Sequence, residues 1–420
     1  MDKKIYELHS YIDKRVTVKG WVSRVRDHRK IIFLILRDGT GYLQIVLTGS
    51  SLATFKGQYR ETTIEVTGII KKDERAISGL EMQAEVLKIL GSSSEEIESI
   101  VTEESTVLTK LDQRHIVLRE GRIAAILKAR SCLLKAFRDY YFEHHFCEIT
   151  PPTIVSTQCE GGSTLFSLQY YDKKAYLTQS SQMYLEAAVP GLGDVYCIAP
   201  SFRAEKSMTR RHLSEYTHVE AEMPFITFDQ LLDHIEDLVT SVLDKFYQLY
   251  PSESKITFTK PFKRMTYKDA IQFCQEHKIY KEEDTQTFYE YGDDIPEKPE
   301  RMMIDMIGEP VFLCKFPRDM KAFYMKRCDQ ILTESVDLLL PGCGEIVGGS
   351  MRISDLEELK EECQDVSLDD YYWYFDLRRF GSGYTGGYGL GLERFLMVIM
   401  SIDHIRDTCI FPRYVSRLSP

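Results

Sequence analysis

Residues Phe202–Glu222 read FRAEKSMTRRHLSEYTHVEAE, and this stretch carries the strongest signal of the fold. Two strand-like segments, Val195–Ile198 and Tyr216–Glu222, flank a loop rich in arginine and lysine, which predicts an antiparallel hairpin. Arg203 and Glu205 are two residues apart, so we expect them to face the same side of a strand. Because the rigid fork of arginine suits phosphate oxygens, the loop is a candidate phosphate site. A solvated charged hairpin is the simpler alternative.

Further along the chain, glycines run into an apolar helix. Gly386–Phe395 reads GGYGLGLERF, and the apolar segment continues as Phe395–Ile402. Glycines allow the close approach of a backbone. The parallel strand–helix–strand context of a dinucleotide site is missing here. The combination of a glycine run, Glu393-Arg394 and an apolar helix is therefore more specific than a lone GxGxG.

A third stretch supplies acidic side chains. Asp337 ends the segment ESVD, and Glu345 lies in GEIVGGSMR, which ends at Arg352. Two carboxylates on neighbouring strands suit a Mg²⁺ ion that bridges substrate phosphates. Arg352 lies seven residues beyond Glu345, so an extended chain would turn it to the opposite face unless the intervening glycines kink the strand.

The segment before the hairpin predicts a helix over Ile123–Glu143, with apolar residues at helical spacing. A short strand follows and stops at Pro151-Pro152, which is typical of a sheet edge. Packing against a second copy is one use of such an edge, and a plain helix–strand corner is the simpler one. The insertion-like region Tyr250–Arg301 offers no role.

The first ninety residues read as short strands, some alternating and one, Ile31–Leu36, continuously apolar. The predicted strands are Val16–Val22, Ile31–Leu36, Gly41–Val46, Thr63–Ile69 and Glu81–Ile89. Five short strands favour a small closed barrel of the oligonucleotide-binding (OB) type. Arg26 lies in the cationic tip of the first hairpin, and Phe33 and Gln44 lie on adjacent strands. A cationic tip attracts phosphates, an aromatic ring stacks on a base and an amide reads a base edge; alternatively, Phe33 belongs to the barrel core.

Composition narrows the class of protein. A chain of 420 residues with 43% hydrophobic residues predicts two or three globular domains. It contains no long apolar run or signal core, so we expect a cytoplasmic protein without a membrane segment. The net charge of −11 argues against nucleic-acid binding by the whole surface. Residues 1–90 are nevertheless basic, with 16 Lys and Arg against 11 Asp and Glu, and a glutamate-rich linker follows from Gly91.

Together these stretches resemble motifs 1, 2 and 3 of the class II aminoacyl-tRNA synthetases, at about 123–152, 200–222 and 386–402. The barrel and core resemble the aspartyl/asparaginyl/lysyl subgroup, and within it the asparaginyl branch of the eukaryotic cytosolic kind. This likeness also uses CEGGSTLF (Cys159–Phe166) and TQSSQMYLE (Thr178–Glu186). The implied fold is α+β: an OB-type barrel over 1–90, a linker over 91–110, and a catalytic domain over 111–420. That domain has an antiparallel sheet of six or seven strands flanked by helices.

The resemblance also implies a reaction and its residues. Asparagine and ATP would form an asparaginyl-adenylate and pyrophosphate, and tRNA(Asn) would then accept the amino acid with release of AMP. Arg203 would clamp the α-phosphate and the attacking carboxylate, and Arg394 the γ-phosphate; these two are the expected catalytic groups. The implied ATP-binding residues are Arg203, Glu205, Arg211, His212, Tyr216, Glu345 and Arg394, with Tyr216 stacked on adenine.

Other implied sites follow the same resemblance. Asp337 and Glu345 would hold Mg²⁺, although Gly348 replaces a serine ligand of some relatives. The implied amino-acid pocket consists of Glu160, Gln182, Leu185, Glu220 and Arg352, with Glu160 on a mobile loop. Arg26, Phe33 and Gln44 would contact the anticodon. Motif 1 would pair two copies into a homodimer.

The choice of amino acid depends on Leu185. Aspartyl enzymes carry a lysine at this place in the pattern QSPQxxK, where it meets the substrate carboxylate. Without that cation, an anionic side chain would be incompletely paired beside Arg352 and Glu220, which is costly in a buried site. A neutral amide would instead accept from Arg352 and donate to Glu220, so asparagine is the predicted substrate.

Three other functions stay open at the level of sequence. The first is an aspartyl-tRNA synthetase, including one that charges both tRNAs, and Leu185 argues against it. The second is a paralogue that makes asparagine with the same adenylate chemistry; such relatives typically lack the barrel. The third is a non-catalytic nucleic-acid-binding protein on this scaffold, which would have been free to lose Arg203, Glu205 and Arg394.

Overall fold

The computed structural model describes residues 2–119, 121–160, 164–282, 284–363, 369–381 and 383–419. The chain divides into two compact units, Met1–Val117 and Leu118–Pro420. Among the described helices, none combines the length and the hydropathy that a membrane crossing requires.

The first unit contains a closed five-stranded barrel with the strand order β1-β2-β3-β5-β4. Its elements are β1 (Arg15–Asp27), β2 (Ile32–Arg37), β3 (Tyr42–Leu47), α1 (Gly49–Phe55), β4 (Thr63–Lys72) and β5 (Leu80–Gly91). Alternation places Ile32, Leu34 and Leu36 in the barrel core. Phe33 points outward and is not part of that core. Its ring therefore faces the side of the strand on which base stacking would be possible.

Short helices follow the barrel within the first unit. They are α2 (Ile97–Ile100), α3 (Val107–Asp112) and α4 (Arg114–Val117). The side chain of Thr106 caps α3 by accepting a hydrogen bond from the backbone N–H of Thr109, at 3.1 Å. The segment predicted as a linker therefore contains helical turns.

The second unit is built on an eight-stranded sheet with the order β12-β13-β14-β15-β16-β11-β10-β6. Its strands are β6 (Cys147–Glu148), β10 (Val195–Phe202), β11 (Glu215–Pro224), β12 (Lys263–Thr266), β13 (Val311–Cys314), β14 (Ser335–Leu340), β15 (Gly344–Met351) and β16 (Thr385–Gly391). The six inner strands are antiparallel, as predicted. The two outermost strands run parallel to their neighbours, β6 to β10 and β12 to β13, which the sequence did not indicate.

Helices and a smaller sheet complete this unit. The smaller sheet contains β7 (Ile154–Val155), β8 (Ser167–Tyr170) and β9 (Lys173–Leu177). The helices are α5 (Gly121–Glu143), α6 (Gln182–Leu192), α7 (Phe228–Leu249), α8 (Tyr267–Glu276), α9 (Glu297–Ile307), α10 (Leu356–Glu362), α11 (Tyr372–Arg379) and α12 (Leu392–Ile399). The predicted helix of motif 1 is α5, and its apolar stripe is buried as the spacing requires.

Two local predictions need correction. Strand β10 ends at Phe202, so Arg203 and Glu205 lie in the loop beyond it and not on one face of a strand. The glycine run of motif 3 is itself a strand, β16, and α12 begins at Leu392, earlier than predicted. Both differences arise because strand pairing, which a single sequence does not display, sets where these elements begin and end.

Candidate active site

One cavity of about 560 Å³ in the second unit collects the predicted catalytic-domain residues. Its lining includes all of them: Glu160, Gln182, Leu185, Arg203, Glu205, Arg211, His212, Tyr216, Glu220, Asp337, Glu345, Arg352 and Arg394. These side chains come from separate strands, helices and loops of the second unit. The volume is typical of a pocket for small-molecule substrates.

Arg203 lies near two carboxylates and an aromatic ring. Its Nη2 is 3.9 Å from Oε1 of Glu160, and its Nη1 is 3.7 Å from Oε1 of Glu205. The guanidinium carbon lies 5.8 Å from the ring centroid of Tyr216, within cation–π range. The Nε of Arg203 is buried and has no hydrogen-bond partner in the described residues, so it suits an anionic ligand.

Arg211 and His212 occupy the next part of the cavity wall. Arg211 Nη1 donates to Oε1 of Glu300 at 2.5 Å and to the carbonyl oxygen of Cys343 at 3.3 Å. Burial, together with the cations Arg394 and Arg211, lowers the pKa of His212 to about 4. His212 is therefore neutral near pH 7 and would meet a phosphate as a hydrogen-bonding group, without a positive charge.

The two predicted acidic residues lie on the neighbouring strands β14 and β15. Asp337 Oδ2 accepts from Lys321 Nζ at 2.8 Å, and Glu345 Oε2 accepts from Arg394 Nη1 at 3.1 Å. Burial raises the pKa of Asp337 to about 6, and Glu345 adds to this effect. Burial also acts to raise the pKa of Glu345, but Arg394 and Arg211 outweigh it and hold that pKa at about 2.

These two carboxylates converge above Gly348. A Cβ placed on Gly348 would lie 3.5 Å from Oε1 of Glu345 and 3.6 Å from Oδ1 of Asp337. Two carboxylates with open space between them fit a hard divalent cation that also binds substrate phosphates. Within the described residues, no group of three or more His, Cys, Asp or Glu could hold a metal by itself. Phosphate and water oxygens could complete the coordination of such an ion.

The glycines of motif 3 make room for buried side chains of the adjacent strand. A Cβ on Gly387 would overlap the carboxylate of Glu222, and one on Gly389 would overlap the ring of His218. Strands β11 and β16 pair antiparallel here, with Glu222 opposite Gly387. The glycine run therefore leaves room for the side chains of Glu222 and His218 at the wall of the cavity.

Arg352 forms an ion pair with a carboxylate that the sequence did not single out. Its Nε and Nη2 donate to the carboxylate of Glu222 at 3.0 and 2.8 Å, and its Nη1 donates to Oγ of Ser350 at 2.7 Å. Glu220 accepts from the backbone N–H of Ser181 at 2.9 Å. Arg352 and Glu220 thus both reach the cavity, but the ion pair joins Arg352 to Glu222.

Helix α6 lines one end of the cavity through Gln182 and Leu185. Leu185 is 1% exposed and packs with Val189, Val195 and Cys197. The amide nitrogen of Gln182 donates to Oε1 of Glu186 one turn along the helix, at 3.0 Å.

Glu160 also belongs to this end. Tyr324 donates its hydroxyl to Oε1 of Glu160 at 3.2 Å, and the backbone N–H of Glu160 donates to Gln179 at 3.0 Å. The middle of the CEGGSTLF stretch, residues 161–163, lies outside the described residues, so the loop predicted there is described only at its ends.

The three predicted anticodon residues lie on the outer face of the barrel, in the first unit. Arg26 pairs with Phe33 across β1 and β2. His28 stands edge-on to Phe33, with ring centroids 5.9 Å apart. Gln44 donates its amide to Glu81 at 2.8 Å.

Several residues that shape the cavity were missed from the sequence: Glu186, Glu222, Glu300, Lys321, Tyr374 and Arg378. Two of them carried a usable signal. Glu222 follows Glu220 at the two-residue spacing of one strand face, and Glu186 follows Gln182 at the four-residue spacing of one helix face. Glu300 and Lys321 meet their partners across long sequence separations, which residue spacing does not display.

The chain is similar to several known proteins. Residues 106–415 match the family described as tRNA synthetases class II (D, K and N), and residues 16–90 match the OB-fold nucleic acid binding domain. The cytoplasmic asparagine–tRNA ligase of Dictyostelium discoideum is 48% identical over 98% of this chain and 65% of its own length. The human cytoplasmic enzyme is 48% identical over 99% of this chain and 79% of its own length.

A solved structure is also similar over nearly the whole chain. The asparaginyl-tRNA synthetase of Entamoeba histolytica, in complex with asparaginyl-adenylate, superposes with a TM-score of 0.91 at 46% identity. The match covers 97% of both chains. An antiparallel core with three motifs around one cavity, in a chain that also contains an OB-type barrel, defines a class II aminoacyl-tRNA synthetase. Within that class, the chain belongs to the asparagine–tRNA ligase family.

Proposed function

We propose that the protein attaches L-asparagine to tRNA(Asn) in two steps at this cavity. In the first, an asparagine carboxylate oxygen attacks the α-phosphorus of ATP. The bond from that phosphorus to the bridging oxygen breaks, and pyrophosphate leaves. In the second, a hydroxyl of the terminal tRNA ribose attacks the aminoacyl carbonyl and AMP leaves. One observation supports the proposal: cations suited to phosphate and a pocket suited to a neutral amide line the same cavity.

In the first step, the protein would act by positioning and by charge. Arg203, with its unpartnered buried Nε, would bind the α-phosphate and the attacking carboxylate. Arg394 would hold the outermost phosphate, with Arg211 and His212 beside it, and Tyr216 would stack on adenine. Such preorganised donors stabilise the charge that develops on the phosphate oxygens.

Magnesium is the ion that this set of donors fits. Asp337 and Glu345 would hold it, and bound Mg²⁺ would neutralise part of the phosphate charge of ATP. Because Lys321 and Arg394 already contact these carboxylates, they keep the pair balanced when the site holds no cation.

The amide pocket would consist of Leu185, Glu220 and Arg352, with Glu160 and Gln182 at the α-amino group. Within the described residues, Glu222 and Ser350 take three of the five N–H groups of Arg352. One N–H on each terminal nitrogen remains for the amide oxygen of asparagine. Glu220 would accept from the amide nitrogen.

The remaining parts complete the assignment. Residues 1–90 would read the anticodon through Arg26, Phe33 and Gln44, residues 91–110 would link the domains, and residues 111–420 would catalyse the reaction. Motif 1 would form a homodimer, which is supported by the edge position of β6 and by Phe142, 80% exposed at the end of α5. The cytoplasm is the proposed compartment, as it is named for the relatives.

The first experiment is amino-acid-dependent ATP–pyrophosphate exchange with Mg²⁺ and without tRNA. We expect exchange with asparagine and little with aspartate, followed by charging of tRNA(Asn) when tRNA is added. Faster exchange with aspartate would move the protein to the aspartyl enzymes, and no exchange with either would favour the non-catalytic reading.

A variant tests the phosphate-binding role of Arg203. R203K replaces the planar fork by a single ammonium group, and we expect asparagine-dependent exchange to fall by roughly a hundredfold. R379K makes the same change at an exposed arginine of the second unit and should leave the rate unchanged. Equal rates for the two variants would remove Arg203 from the mechanism.

A further inference from the structure

Glu186 is a fully buried carboxylate behind the amide pocket. Its side chain is 2% exposed and is not part of the cavity lining. Its Oε1 accepts from Gln182 Nε2 at 3.0 Å, and its two oxygens accept from the Tyr374 hydroxyl at 2.8 and 2.9 Å. Its Oε2 also accepts from Arg378 Nη2 at 2.6 Å. A buried charge with this many donors has a single well-defined position.

Glu186 lies next to the group that would meet the substrate amide. Its Oε1 is 4.0 Å from Nε of Arg352, while Glu222 contacts the same guanidinium more closely. Burial acts to lower the pKa of Arg352, but Glu222 and Glu186 outweigh it and raise that pKa above its ordinary value. Arg352 therefore experiences the negative charge of both carboxylates.

Two ion pairs surround the pocket. Arg352 is matched by Glu222 and Arg378 by Glu186, while Glu220 adds a further carboxylate at the cavity wall. A substrate carboxylate would need an uncompensated cation here, and within the described residues of this cluster the pairing supplies none. A neutral amide needs only a donor and an acceptor, and both are present.

We propose that Glu186 determines specificity: its negative charge, held behind Arg352 by Arg378 and Tyr374, keeps the pocket selective for a side-chain amide over a carboxylate. This inference rests on the proposed asparagine-activating function and adds to it a residue that does not touch the substrate. The two residues would act differently: Leu185 provides no cation for a substrate carboxylate, whereas Glu186 adds a negative charge behind Arg352.

A purely structural role is the competing explanation, because Glu186 also fastens α11 to α6. The two explanations differ in sign. E186Q keeps the size of the side chain but leaves Arg378 unbalanced, so the pocket becomes more positive and aspartate should gain. R378Q leaves Glu186 unbalanced, so the pocket becomes more negative and aspartate should lose. Loss of a structural fastening would move both variants in the same direction.

The test is ATP–pyrophosphate exchange, read as kcat/KM with asparagine divided by kcat/KM with aspartate. We expect this ratio to fall on the order of tenfold in E186Q and to rise in R378Q. The charge-neutral double variant E186Q/R378Q should return towards the wild-type ratio, and Y374F, which keeps both charges, should stay within about twofold of it. A fall of the ratio in R378Q, or an unchanged ratio in E186Q, overturns the inference.

Two further points keep the result decisive. If E186Q does not fold, R378Q still tests the sign, and E186D keeps the charge and should preserve the ratio even where kcat falls. A wild-type enzyme that fails to activate asparagine would refute the proposed function itself. A wild-type enzyme that is specific for asparagine, with a lowered ratio in R378Q or E186D, would refute only the role of Glu186.

Discussion

At the residue scale, the proposed role of Leu185 in the amide pocket depends on the charged side chains around it. Leu185 packs against Cys197, whose sulfur lies 3.8 Å from the carboxylate of Glu220. A cation at this place would lie close to Glu220 and beside Arg352, and it would change the polarity that the pocket offers to a substrate. In the proposed pocket, the leucine would therefore leave Arg352 and Glu220 as the polar groups that face the amide.

This reasoning predicts the effect of L185K. The introduced ammonium group would compete for Glu220 and attract a carboxylate, so kcat/KM for asparagine should fall by about tenfold or more while that for aspartate gains relative to it. The measurement is exchange with each amino acid. L185M, which roughly conserves volume, is the control and should cost little. An unchanged kcat/KM for asparagine in L185K would remove Leu185 from the specificity.

At the element scale, α9 gives a role to part of the region that the sequence left unassigned. Its Glu300 binds Arg211 and also accepts from the backbone N–H of Glu345 at 2.8 Å. Gly344, at φ +85°, lies against the Arg211–Glu300 pair, and a Cβ on it would overlap both side chains. One helix of the insertion thereby fixes a motif 2 arginine and the strand that carries a metal-binding candidate.

From this geometry we expect E300Q to impair ATP binding selectively. Loss of the ion pair frees Arg211 to move, so KM for ATP should rise several-fold, whereas KM for asparagine should change little because the amide pocket is at the other end of the cavity. E357Q, at an exposed glutamate of α10 that pairs with Lys360 and does not line the cavity, should keep KM for ATP within about twofold. Equal increases in both KM values for E300Q would indicate a general loss of structure.

Helix α7 supplies a pH-sensitive contact. Its His234 lies 3.0 Å from the Tyr388 hydroxyl, and burial together with His144 lowers the pKa of His234 to about 4, although Asp237 opposes this. The unfolded imidazole takes a proton below about pH 6.5, whereas the folded one stays neutral until about pH 4. The unfolded state therefore binds more protons in this window, and the free energy of unfolding decreases as the pH falls through it.

The predicted contribution is about 2 kcal/mol between pH 7 and pH 5. H234Q cannot titrate, so its melting temperature should fall less than that of the wild type over this range, whatever its absolute stability. H277Q replaces an exposed histidine and should follow the wild type. Parallel pH curves for H234Q and the wild type would show that His234 contributes nothing to the acid sensitivity.

At the scale of the whole molecule, the sequence predicted the order of the barrel and the motifs, but not which charged residues of the catalytic unit pair with each other. The continuous apolar run Ile31–Leu36 predicted a barrel strand, and the strand-like flanks of the cationic loop predicted the hairpin around Arg203. The pairing of Arg352 with Glu222, and of Arg211 with Glu300, could not be predicted, because each joins residues that only the assembled sheet brings together. Charge balance in the pocket is a tertiary property, and so it was visible only in the structure.

The division into two compact units predicts that tRNA charging and amino-acid activation can be separated. The barrel has its own hydrophobic core, to which Phe33 does not belong. F33A should therefore leave the fold and the ATP–pyrophosphate exchange intact while removing a stacking surface, which is worth about 1–3 kcal/mol per base. We expect KM for tRNA(Asn) to rise roughly tenfold or more in charging assays.

W21A is the matched control. Trp21 is also an outward-facing aromatic residue and is 45% exposed, but it lies on β1, at the opposite end of the β1–β2 pairing from Phe33. Unchanged charging by F33A, or equal losses in F33A and W21A, would contradict an anticodon-stacking role, whereas a loss of exchange would mean that the barrel supports the catalytic unit itself.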